Sequence, residues 1–158
     1  LTGLVVWTDF KRKAHSLSRD LTDAEQRELA EISSTYSAME APGPGDRILR
    51  AVGRLLVTFP GQQLSEGAAK VRGDAYREAL DDLPAWCVEQ ACRDWLRGDV
   101  AGEQNMAFAP SPPQLRKIAL RHYQIMRGNR AWVDMMRRAT TEPQGFPEVA
   151  AALEGVLS

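Results

Sequence analysis

Phe108-Ala109-Pro110-Ser111-Pro112-Pro113-Gln114-Leu115-Arg116-Lys117 is the stretch whose reading decides the fold. Ser111 is placed to cap a helix, and Pro112 then falls at the first helical position, where a missing N–H costs nothing. Gln114 stands three residues after the cap, which completes a capping box. Leu115, Ile118 and Ala119 begin an apolar stripe, while Arg116, Lys117 and Arg121 begin a charged one. The stretch therefore joins a compact helical block to a long basic helix.

Downstream, that helix is expected to run from Pro112 to about Arg138, with a break at Gly128-Asn129 allowed by propensity. Leu115, Ile118, Ala119, His122, Ile125, Met126, Trp132, Val133 and Met136 trace its apolar ridge, so His122 reads as a packed histidine before a catalytic one. Asp134 is the only acid between Gln114 and Thr140, against Arg116, Lys117, Arg121, Arg127, Arg130, Arg137 and Arg138. A helix so charged suits phosphates or an acidic protein face; it equally suits a cationic surface balanced by acidic neighbours. Arg116, Lys117, Arg121, Arg127 and Arg130 are the candidate partner- or nucleic-acid-binding residues. A short amphipathic helix, Glu148 to Leu157, is expected to close the chain.

Upstream, three further amphipathic helices are expected. Asp46 is placed to cap one running from Arg47 to about Phe59, with Ile48, Leu49, Val52, Leu55, Leu56 and Phe59 on its apolar side and Arg47, Arg50 and Arg54 opposite. Those three arginines would suit an anionic partner, although the solvated face of a core helix is the simpler reading. Ser65 should cap the next, through Leu80, with Val71, Ala75, Tyr76, Ala79 and Leu80 inward. The third spans Pro84 to Arg97, with Ala85, Val88, Ala91, Cys92, Trp95 and Leu96 inward and Gly98 as its C-terminal cap.

At the N-terminus, Thr22-Asp23-Ala24-Glu25 is a capping box that opens a helix to about Met39. Ala41-Pro42-Gly43-Pro44-Gly45 ends it and reads as a linker. Before Thr22 the pattern is poor. Trp7 and Phe10 flank a basic cluster of Lys11, Arg12 and Lys13, read as a solvated leader in preference to a nucleic-acid arm. The expected organisation is an N-terminal arm and extra helix (1–45), a helical core domain (46–140) and a short C-terminal helix (141–158). The fold class is all-α, a small bundle of about five to six helices.

Composition bounds the function. The chain has 158 residues and a formal net charge of −1, enough for one core and no whole-chain bias toward nucleic acid. No apolar run reaches the roughly 18 residues of a membrane span. Leu4-Val5-Val6-Trp7 is too short for a signal-peptide core, and the chain opens on Leu1, as expected of a fragment or an unusual start codon. Two cysteines, Cys87 and Cys92, stand at i and i+5 on one expected helix and diverge, so buried thiols in a reducing cytoplasm are expected, with no metal. No phosphate-binding glycine loop, nucleophile elbow or HExxH motif is present. The expectation is a non-enzymatic protein with no cofactor, no membrane contact and no small-molecule substrate.

One resemblance sharpens this. A helix ending in Thr58-Phe59-Pro60 is followed by a helix with Tyr76 and Ala79-Leu80. Asp82-Leu83-Pro84 then leads into Val88 and Ala91, and Phe108-Ala109-Pro110-Ser111-Pro112 leads into Leu115-Arg116. This order resembles the phage helicase loader-and-inhibitor family, small replication proteins of phages and prophages, over roughly residues 46 to 125. The resemblance implies an adaptor without its own ATPase, in a bacterial host's cytoplasm, that binds a replicative helicase or another replication protein. Direct DNA binding through the helix after Ser111, and inhibition of a host protein, are the alternatives.

Overall fold

A computed structural model describes residues 4, 6–9, 14–59, 65–100 and 107–139. Among the described residues, five helices carry an all-α fold: α1 (Asp23–Met39), α2 (Gly45–Val57), α3 (Glu66–Leu80), α4 (Ala85–Arg97) and α5 (Pro112–Arg138). They are preceded by a four-residue antiparallel ribbon, β1 (Val6–Asp9) and β2 (Ala14–Leu17), in register Val6 to Leu17. The leader expected to be unpatterned therefore pairs with itself at those positions. Lys11 to Lys13 and the helix expected at Glu148–Leu157 lie outside the described residues.

Contacts divide the chain into two units: Leu1–Tyr36 with Gly128–Ser158, and Ser37–Arg127. The larger core belongs to the second. Ile48, Val52 and Leu55 recur along α2 at helical spacing and are buried. They meet Val88, Ala91, Cys92 and Trp95 of α4, α2's chief neighbour, together with Tyr76, Leu80, Leu83, Leu115 and Ala119. Each fully buried leucine of this set contributes roughly 1.5–3 kcal/mol relative to exposure. In the first unit, Leu29 of α1 and Val133 and Met136 of α5 form a smaller core, lined by Leu21, Ile32 and Tyr36.

The helix starts follow the local chemistry. At α1, the Glu25 N–H donates to Thr22 Oγ1 (3.3 Å) and the Thr22 N–H donates to Glu25 Oε2 (3.0 Å), so both arms of the box are made. Ser65 Oγ accepts from the Ala68 N–H at α3. At α5 the Ser111 N–H donates to Gln114 Oε1 (2.8 Å), and Pro112 and Pro113 remove two amide donors that would otherwise need partners. α4 ends on Gly98 at φ 77, the left-handed conformation open to glycine.

α2 departs from expectation. Its N-cap is Pro44, with no side-chain cap bond; Asp46 lies inside the first turn, 3.4 Å from Arg50. The cause is upstream. The Gly43 N–H donates to the Leu83 carbonyl (3.3 Å), and a Cβ at Gly43 would stand 2.3 Å from the Ala85 Cβ. The Pro-Gly run is thus packed on the start of α4, where a linker was expected, and this contact with the fixed φ of Pro44 starts the helix early.

The inward faces are also narrower than the ridges read from sequence. On α5, Leu115, Ala119, Met126, Val133 and Met136 are buried, a seam repeating close to every seven residues, and the helix runs unbroken through Gly128 and Asn129. Ile125 and Trp132 each sit about 100° from a seam residue and are exposed, Trp132 at 52%. Ala75 of α3 and Leu96 of α4 are exposed for the same reason, and Val71 lies farther still, about 140° around α3 from Tyr76. Among the described residues, no helix is long and apolar enough to cross a membrane.

Candidate partner interface on the long basic helix

The five cationic candidates on α5 separate into four situations. Arg116 is engaged. Its guanidinium holds both carboxylate oxygens of Asp82, with Nη2 to Oδ2 at 2.7 Å, and Nη1 also donates to the Ala79 carbonyl. This pins α5 to the α3–α4 corner. The Arg116 hydrogen bond, the largest cause, holds the Asp82 carboxyl below its ordinary range. Of the adjacent carboxylates Asp81 and Asp82, it is Asp82 that bonds the arginine.

Lys117 and Arg121 are in the second. They lie four residues apart on one exposed face of α5, and among the described residues neither meets a carboxylate within ion-pair distance. Both line a groove of about 440 Å³ whose walls include Trp95, Val100, Ile118 and His122. His122 shares a 2.6 Å hydrogen bond with Asp94 of α4, and Asp94 also accepts from the Gln90 amide at 2.8 Å. The histidine is packed, as its place on the apolar ridge implied, and its acidic partner was not visible in sequence. Paired with a carboxylate on a groove wall, the imidazole is oriented and can act as a hydrogen-bond group toward a ligand.

Arg127 is exposed, 5.7 Å over the Tyr123 ring and 4.0 Å from the Glu40 carboxylate. Arg130 falls in the first unit, 3.6 Å from Asp134. That acid is a hub: it accepts from Ser33 Oγ at 2.6 Å and lies 3.7 Å from Arg137. The Ser33 hydrogen bond, ahead of the arginines, holds its carboxyl below the ordinary range. Lys117 and Arg121 are thus brought together on one free face, with Arg116 beside them but committed to the fold. Arg130 is engaged in the other unit.

The residues around Ser111 hold the loop ahead of the helix. The buried Tyr76 hydroxyl donates to the Pro110 carbonyl, and the Trp95 indole N–H donates to the Phe108 carbonyl (3.2 Å). The Phe108 ring itself points out, 67% exposed. Trp86, half-buried, donates its indole N–H to the Met39 carbonyl (2.9 Å), so the corner tryptophan anchors structure on one edge. Cys87 and Cys92 are buried free thiols, both pushed up to about 12 by burial. No group of three or more metal-ligating side chains is found among the described residues.

Comparison with protein-family models, with curated proteins and with solved structures finds no match.

Proposed function

We propose that this protein is a non-enzymatic adaptor of phage or prophage DNA replication, acting in a bacterial cytoplasm by binding a replicative helicase as its loader or inhibitor. One observation carries the reading. Residues behind the family resemblance hold one another within a single unit, Tyr76 to Pro110 and Arg116 to Asp82 and Ala79, and Trp95, outside that set, holds Phe108. They therefore specify one interlocked helical module, and short motifs scattered over unrelated elements would not do so. The module spends the Phe108 backbone on its own fold and leaves the ring free, as a partner-binding anchor requires.

The test is capture of a purified phage-type or host replicative helicase by the full chain, with Phe108→Ala as the probe. The variant keeps the backbone bond to Trp95, so its melting temperature should hold while capture weakens about tenfold. A folded wild-type protein that captures no helicase counts against the proposal.

A second reading rests on Lys117 and Arg121, which make no ion pair among the described residues although Asp94 and Asp99 line the same groove: direct DNA binding along α5. Affinity should then fall steeply with salt. Lys117→Glu with Arg121→Glu is the appropriate pair, because Arg116→Glu would break the contact with Asp82 and report on folding instead. DNA binding unchanged in that pair rejects α5 as the site.

A further inference from the structure

A second groove, on α2 and α4, belongs to neither reading. Its volume is about 510 Å³. The floor is apolar, made by Leu55 and Cys92, with Leu96 rising from it half-exposed at 51%. Arg50 and Arg54 of α2 stand on one wall and Arg93 of α4 on the other, all exposed. Arg47 also lines it, but its guanidinium is occupied by Glu89 at 2.6 and 2.8 Å. Among the described residues Glu89 is the only acid on the lining, and it already has that partner. Its carboxyl is held below the ordinary range by the Arg47 hydrogen bond first, and also by Arg93 and Arg54, so these cations share one field.

We propose that this groove docks an acidic amphipathic helix of a partner protein. The floor asks for apolar side chains, because filling it removes Leu96 from water, about 25 cal/mol for each Å² of apolar surface covered. The walls ask for carboxylates, because Arg54 and Arg93, with Arg50 held only by an exposed 3.4 Å contact to Asp46, leave a net positive charge over one shallow groove that an anion neutralises. A nucleic-acid backbone satisfies the second demand and leaves the first unmet. A helix with leucines along one stripe and glutamates beside it satisfies both, and the length from Arg47 to Arg54, two turns or about 10 Å, matches such a stripe. The arginine spacing on α2 was legible in sequence. Arg93 was not, because only the packing of α4 on α2 brings it opposite.

The inference does not depend on the helicase reading. It is tested on the full chain by fluorescence anisotropy. The probes are a synthetic helix of about 16 residues with leucines at every third and fourth position and glutamates elsewhere, a scrambled peptide of the same composition, and a short single-stranded DNA. The amphipathic helix should bind at least about tenfold more tightly than the other two. The combination R50E, R54E and R93E should lower its affinity at least about tenfold, and Leu96→Ala several-fold. Arg50→Gln, Arg54→Gln and Arg93→Gln give the same loss without reversing charge, should the first combination disturb folding. Equal affinity for the scrambled peptide or the DNA, or binding untouched by the arginine changes, overturns the proposal. Helicase capture lost while peptide binding persists overturns only the helicase reading.

Discussion

Tyr76 is buried with its hydroxyl on the Pro110 carbonyl, and Pro110 is itself buried. Burial, the largest cause, raises the phenol's pKa, so it is a firm donor at ordinary pH. Tyr76→Phe keeps the ring and strands the carbonyl, a loss of about 1–3 kcal/mol in urea unfolding. A change within error would mean that water replaces the hydroxyl. Asp82 gives a pH signature. Its carboxyl is depressed in the folded state by Arg116, so the unfolded chain takes up the proton first as pH falls. The contribution is present above the ordinary carboxylate pKa and is lost as pH drops through the folded one. Asp82 is more than half exposed, which limits the effect to under about 1 kcal/mol. Arg116→Ala should flatten the fall of stability below about pH 4 by that share.

At the scale of elements, helix starts written in side chains were legible and those written in packing were not. Thr22, Ser65 and Ser111 were found because a capping residue announces itself within three positions. The start of α2 was misplaced because its cause, the contact of Gly43 with Ala85, joins positions far apart in the chain. Gly43→Ala should therefore destabilise by about 1–3 kcal/mol, since the Ala85 Cβ and backbone around the new methyl belong to a packed helix start. Thermal unfolding of that variant beside Gly53→Ala decides it: nothing stands within 4 Å of a Cβ at Gly53, and that change should be neutral or stabilising. The apolar ridges were read too wide because periodicity shows which residues share a stripe but not how much of it a neighbour covers. Ile125, Trp132 and Leu96 lie at those uncovered margins. Of the candidate site, the positive character of α5 was legible. Which cations are free was not, because Asp82 and Asp94 reach α5 from elsewhere in the chain.

For the molecule as a whole, the two units differ in what holds them. Among the described residues, fourteen buried side chains make the core of the Ser37–Arg127 unit and three make that of the other, so the described helical turns of the latter have less apolar burial behind them. Local opening should follow that difference. In hydrogen exchange read by mass spectrometry, peptides from 24–35 and 130–138 should exchange faster than peptides from 48–56 and 86–96. Equal protection across the chain would show that the two open as one cooperative body. The buried thiols supply a parallel readout. With both pushed up to about 12, neither Cys87 nor Cys92 should react with a disulfide reagent at pH 8 until denaturant is added.

Gly98, which closes α4, has a consequence in stereochemistry. Its backbone sits at φ 77 with nothing within 4 Å of a Cβ built there, so handedness is the obstacle to a side chain and crowding is not. A mirror-image residue prefers that quadrant. D-alanine introduced at 98 by chemical ligation should raise stability by about 0.4–1 kcal/mol through the entropy it removes from the denatured chain, while L-alanine should lower it.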